Sequence, residues 1–277
     1  MQHQADISEL IPKGLGKYWL MFLAGASFIA LLETAHLYQP QIADTLGVMA
    51  VPALDISRRD SVLNWFVSIL LFTTSAVAYI NYKLGRKYKD PLGITAAWFW
   101  MSLGLLYISL DTQVALRHTL GICLTQWSGT PLYGNGTVWW LIVYLFFFGV
   151  IGTRVFSAML PYPFTLGLFL LSVTGIIVDI VLGLSLLPNL FELVPMIVLQ
   201  TAVFAIAVLF LFLSCTLFAR RQVFRDPDVA LQWFARHWKH ETLFQKINEQ
   251  EPVPKEPAEK PVIPIALEGS TIKKEEV

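Results

Sequence analysis

Six long apolar runs separated by polar stretches dominate the pattern of this chain: residues 18–37, 62–80, 91–110, 138–160, 164–187 and 193–218. Each is close to the roughly 20 apolar residues that a helix needs to cross about 30 Å of hydrocarbon. The runs are continuous rather than alternating, and backbone polar groups must be paired in lipid, so the pattern predicts helices rather than a barrel. The expected fold class is all-α, a polytopic membrane helix bundle with six transmembrane helices.

The polar stretches set the expected threading, because Lys and Arg collect in cytoplasmic loops. With the N-terminus inside, the inner side holds Lys13, Lys17, Lys83, Arg86, Lys87, Lys89, Arg154, Arg220, Arg221 and Arg225, against Arg58, Arg59 and Arg117 outside. This asymmetry predicts an N-in/C-in chain, multi-pass in a bacterial inner (plasma) membrane. Ala24, Gly25 and Ala26 form an A-x-A pattern after a Lys-bearing start, as in a cleaved signal peptide. The apolar run before it is shorter than a signal sequence requires and continues past it, so the first run reads as a span.

Four regions follow from the pattern: residues 1–17 as a cytoplasmic N-terminus, 18–218 as the transmembrane domain, 219–248 as a juxtamembrane amphipathic helix, and 249–277 as a disordered cytoplasmic tail. Asp226 and Pro227 are a helix start, and Leu231, Phe234, Ala235 and Trp238 then repeat on one face, as in a helix lying against headgroups. His237 and His240 fall on its solvated basic face. The tail carries Pro252, Pro254, Pro257, Pro261 and Pro264 among Glu and Lys. In the first outer loop, residues 38–60, the segment 42–54 is expected as an interfacial helix lidding the outer face. The second outer loop, 111–137, ends in Ser128-Gly129-Thr130-Pro131 and Tyr133-Gly134-Asn135-Gly136, both turn signals.

Composition narrows the classes further. A hydrophobic fraction of 55% against 14% charged, with a mean hydropathy of +0.58, is that of a membrane chain, and the formal net charge of zero gives no basic face for nucleic acid. No phosphate-cradling glycine loop for nucleotides occurs. The two cysteines, Cys123 and Cys215, are expected on opposite sides of the membrane and imply no disulfide framework. The bilayer is the expected environment, with a membrane-protein partner or homo-oligomer as the expected protein contact.

Within the spans, aromatic and small residues have structural readings. Trp19, Tyr79, Tyr82, Trp139 and Trp140 sit where interfacial belts form. Thr95, Ser102 and Ser109 are spaced by seven, as are Thr165, Ser172 and Asp179, with Gly175 and Gly183 near the second stripe. Such seams let helices approach and hydrogen-bond in lipid, and both are expected to face the bundle interior.

The candidate chemistry lies at one level, toward the outer side. Glu33 and His36 share a face at the end of the first span. Asp111 closes the third span, and His118, seven residues on, returns to its face if the helix continues. Asp179 is expected about 12 Å inside the outer end of the fifth span, with Gln200 entering from the sixth at a similar depth. Ionisable groups at membrane depth mark function by default. His36, Asp111 and His118 are the expected ligands of zinc or another divalent metal, with Glu33 and Asp179 as catalytic general-base candidates. The same groups suit a proton relay. Glu33 and His36 also echo the Glu-x-x-His spacing of di-iron bundles, although a second copy is absent.

Ser109-Leu110-Asp111 through His118 resembles the S-L-D-E…H pattern that closes a span in a loose set of uncharacterised bacterial multi-pass proteins, with Thr112 in place of the second acid. More distantly, Ser109, Asp111 and His118 resemble the Ser, Asp and His set of the ceramidase and progestin-receptor-like superfamily of membrane hydrolases. That resemblance implies zinc-dependent hydrolysis. It would also imply a paired His motif on the last span, and residues 193–218 contain no His. The expectations are a membrane-embedded metal-dependent hydrolase, a noncatalytic scaffold or assembly subunit of a membrane complex, or a cation- or proton-coupled transporter.

Overall fold

The computed structural model describes residues 11–12, 14–86, 94–130, 137–184 and 195–224. Among these, the protein is all-helical: α1 (Leu15–Leu37), α2 (Gln39–Leu46), a 3-10 turn (Pro52–Leu54), α3 (Val62–Gly85), α4 (Ile94–Val114), α5 (Leu116–Ser128), α6 (Thr137–Met159), α7 (Pro163–Gly183) and α8 (Met196–Phe224). Six of these, α1, α3, α4, α6, α7 and α8, are long and apolar enough to span a bilayer. The chain is therefore an integral, multi-pass membrane protein, and its apolar helices suit a lipid environment. The expected amphipathic helix beyond residue 224 and the tail lie outside the described residues, as do Asn135 and Gly136.

Neighbouring spans are joined by the small and polar seams. Ser68 and Ser109 donate to each other's carbonyl oxygens at 2.8 Å, and Ser75 donates to the Ser102 carbonyl at 2.7 Å, so α3 and α4 run antiparallel. Ser214 of α8 donates to the Thr165 carbonyl of α7 at 3.0 Å, and Asn81 of α3 donates to the Cys215 carbonyl of α8 at 3.1 Å. Each bond joins groups that have no water to turn to in a bilayer. At Gly175 a Cβ would lie 2.7 Å from the Ala207 Cβ, so this glycine permits the close approach of α7 and α8.

Around these seams, Val67, Leu71, Trp98, Met101, Leu105, Val155, Met159, Val208 and Leu209 form one core. Trp98 stacks on Phe218 with ring centroids 4.9 Å apart. The antiparallel pairing gathers the helix ends into two rims. One rim carries every described acid: Glu33, Asp44, Asp55, Asp60, Asp111 and Asp179. The other carries Lys17, Lys83, Arg86, Arg154, Arg220 and Arg221, with no described acid.

Three local expectations are corrected. The lid helix expected over 42–54 is split: α2 begins at Gln39, with Pro40 in its first turn, and stops at Gly47, whose φ of 67° is left-handed. The continuous helix from Asp111 to His118 is broken at Ala115, which takes φ 58° and ψ 42°. The last span runs past 218, and α8 continues through Arg220 and Arg221 to Phe224.

Candidate ligand-binding site

The break at Ala115 builds the site. A left-handed alanine costs about 1 kcal/mol or more, and its methyl cannot cap the helix that follows. Asp111 supplies that cap from one turn earlier: its Oδ1 accepts the Arg117 backbone N–H at 2.6 Å. Its Oδ2 lies 3.5 Å from Arg117 Nε. Asp111 is almost wholly buried, so one carboxylate both starts α5 and anchors the Arg117 side chain. That guanidinium lies over the Trp140 ring, 5.5 Å from its centroid.

Arg117 reaches a cavity of about 260 Å³ at the acid-bearing rim, lined also by Arg59, His118, Trp140, Asp179 and Gln200. Five elements contribute: the loop before α3 and helices α5, α6, α7 and α8. The Gln200 amide and the Arg117 guanidinium both lie near enough to the Asp179 carboxyl to act on it electrostatically. A Cβ on Gly183 would stand 2.8 Å from Gln200 Nε2, so that glycine leaves room for the amide. Arg59 and His118 make no side-chain hydrogen bond or ion pair with any described residue. Donors thus face open space.

The five residues expected to act together are divided. His118 and Asp179 meet at the cavity, and Asp111 stands behind it, holding Arg117. Glu33 is buried elsewhere: its Oε1 accepts from the Thr201 hydroxyl at 2.9 Å, and its enclosed Oε2 has no hydrogen-bond partner among the described residues. His36 pins the first outer loop instead. Its Nδ1 is 3.2 Å from the Leu54 carbonyl, 3.4 Å from the Ile56 N–H and 3.9 Å from Asp55. Asp179 is shallower than expected, one turn from the end of α7, because that helix stops at Gly183 although the apolar run continues.

No group of three His, Cys, Asp or Glu side chains that could hold a metal ion occurs among the described residues. Ser109, Asp111 and His118 are not joined by any hydrogen bond, since Ser109 is engaged with Ser68. Sequence reasoning missed Arg59 and read Trp140 as an anchor only. Arg117, six residues from Asp111 in the sequence, is paired with it in the structure. Arg59 gave one signal, as a cation on the side where cations are scarce.

No protein-family model, no curated protein and no solved structure matches the chain.

Proposed function

We propose that this protein binds a small polar molecule bearing an anionic group in the cavity between Arg59, Arg117, His118 and Asp179, at the outer face of a bacterial inner membrane, with both termini cytoplasmic. The observation that carries this reading is the convergence of two guanidiniums on one open cavity. Arg117 is preorganised by Asp111 and Trp140, while Arg59 and His118 have no described partner. Arginine forks suit carboxylate and phosphate oxygens. Asp179 and Gln200, on the far wall, accept a donor or a cationic end of the same molecule. Recognition at both ends makes a zwitterion such as phosphoethanolamine a better fit than a bare anion.

The metal-dependent hydrolase expectation draws no support from this geometry. One imidazole and one carboxylate line the cavity, fewer than the three protein ligands that a catalytic zinc uses. A noncatalytic assembly role has one observation in its favour: His36 and Asp111 are engaged by the fold itself, as structural polar groups are.

Thermal unfolding of the detergent-purified chain separates the readings. Inorganic phosphate and phosphoethanolamine at about tenfold over Kd should each stabilise by about 1.4 kcal/mol. Phosphoethanolamine should act at lower concentration, and Asp179→Asn should abolish that advantage. Stabilisation by neither probe contradicts ligand binding and favours the assembly role.

A further inference from the structure

The opposite rim carries a second concavity, of about 260 Å³, lined almost wholly by carbon between α1, α7 and α8. Trp19 and Phe22 form one wall, Leu168 another, and Phe210, Leu213 and Leu217 the floor. The floor residues make one stripe of α8 at i, i+3 and i+7, and the same face one turn further presents Arg220 and Arg221. Arg220 is near enough to the Tyr18 hydroxyl, at the mouth of the groove, to act on it electrostatically. From Phe210 to Leu217 the stripe spans about 10 Å, a large part of one leaflet's hydrocarbon depth. An apolar trough ending in a guanidinium pair, on a rim with no described acid, has the polarity of an anionic amphiphile.

We infer that this groove holds an anionic phospholipid, one acyl chain along the α8 stripe and the phosphate against Arg220 and Arg221. Any lipid tail fits an apolar groove; the charge at its mouth selects the headgroup. Membrane-proximal cations each favour anionic lipid severalfold, so two at one site favour it by an order of magnitude. The site is independent of the acid-rim cavity.

Native mass spectrometry of the full chain, titrated in detergent with dioleoyl phosphatidylglycerol or dioleoyl phosphatidylcholine, tests this. The glycerol lipid should be retained on the order of tenfold better, and R220Q/R221Q should bring it to the level of the choline lipid. K83Q/R86Q, on the same rim outside the groove, should leave the preference intact. Leu168→Trp should lower retention of both lipids by filling the trough. Equal retention of the two lipids by the unaltered chain overturns the inference. An equal loss in the two charge variants also overturns it, since that is diffuse attraction to a basic rim.

Discussion

Glu33 and Asp179 are both carboxylates near the acid-bearing rim, each beside α8, yet their surroundings differ in access. Glu33 is buried between α1 and α8, with the Thr201 hydroxyl as its one hydrogen-bond partner among the described residues. Asp179 looks into a cavity that also receives Arg59, Arg117 and His118. Depth in the membrane marks both residues equally, and only packing separates an enclosed polar group from one that a solute can reach. The contrast extends to the histidines: His36 is spent on the Leu54–Ile56 backbone, whereas His118 lines the cavity.

The largest effect on this contrast should come from Asp111, which supports the open site without lining it. Asp111→Ala leaves the start of α5 uncapped and removes the buried partner of Arg117. The Arg117 side chain is about half exposed, so the loss is chiefly that of the cap, about 1–2 kcal/mol, with a small addition from the ion pair. Chemical or thermal unfolding should show this loss, and phosphate affinity should fall with it as Arg117 loses its anchor. Ala115→Gly sharpens the same point in the other direction. Glycine adopts the left-handed backbone without the Cβ penalty, so the turn should gain up to about 1 kcal/mol while phosphate affinity holds.

The smallest effect concerns the loop that His36 pins. The Ser57 hydroxyl and backbone N–H, with help from His36 and Arg58, hold the Asp55 carboxyl below its ordinary range. A depressed folded value means stability present above the unfolded carboxylate range near 4 and lost as pH falls through the folded value. Asp55 is partly exposed at the surface, so the contribution is below about 0.5 kcal/mol after screening. Unfolding curves of Asp55→Asn and the unaltered chain should converge once the pH has fallen below the folded value and separate slightly above the unfolded carboxylate range near 4.

Much of this was legible in the sequence. Six spans follow from apolar run length alone, and the spacing of Ser102 and Ser109 placed them on the face where they meet Ser75 and Ser68. The division of the polar cluster was not legible. An alanine gives no sign that it will turn left-handed, so the break at Ala115 and the Asp111 cap were hidden. Apolar residues continue beyond Gly183, so run length overstated the depth of Asp179. Arg59 comes from a loop whose path depends on the His36 contacts, and no periodicity reports on such a path.

The central claim, that the cavity is open to a ligand and the Glu33 site is closed, rests most directly on one paired measurement. Phosphate affinity should be determined by calorimetric titration of Arg59→Gln and Glu33→Gln beside the unaltered chain. Arg59 has no described partner to lose, and a glutamine at position 33 can still accept from Thr201. The account predicts that Arg59→Gln weakens phosphate by about tenfold, in line with a charge-assisted hydrogen bond of 1.5 kcal/mol or so, at unchanged stability. It predicts that Glu33→Gln binds as the unaltered chain does. Equal affinity in all three, or a loss confined to Glu33→Gln, would contradict it.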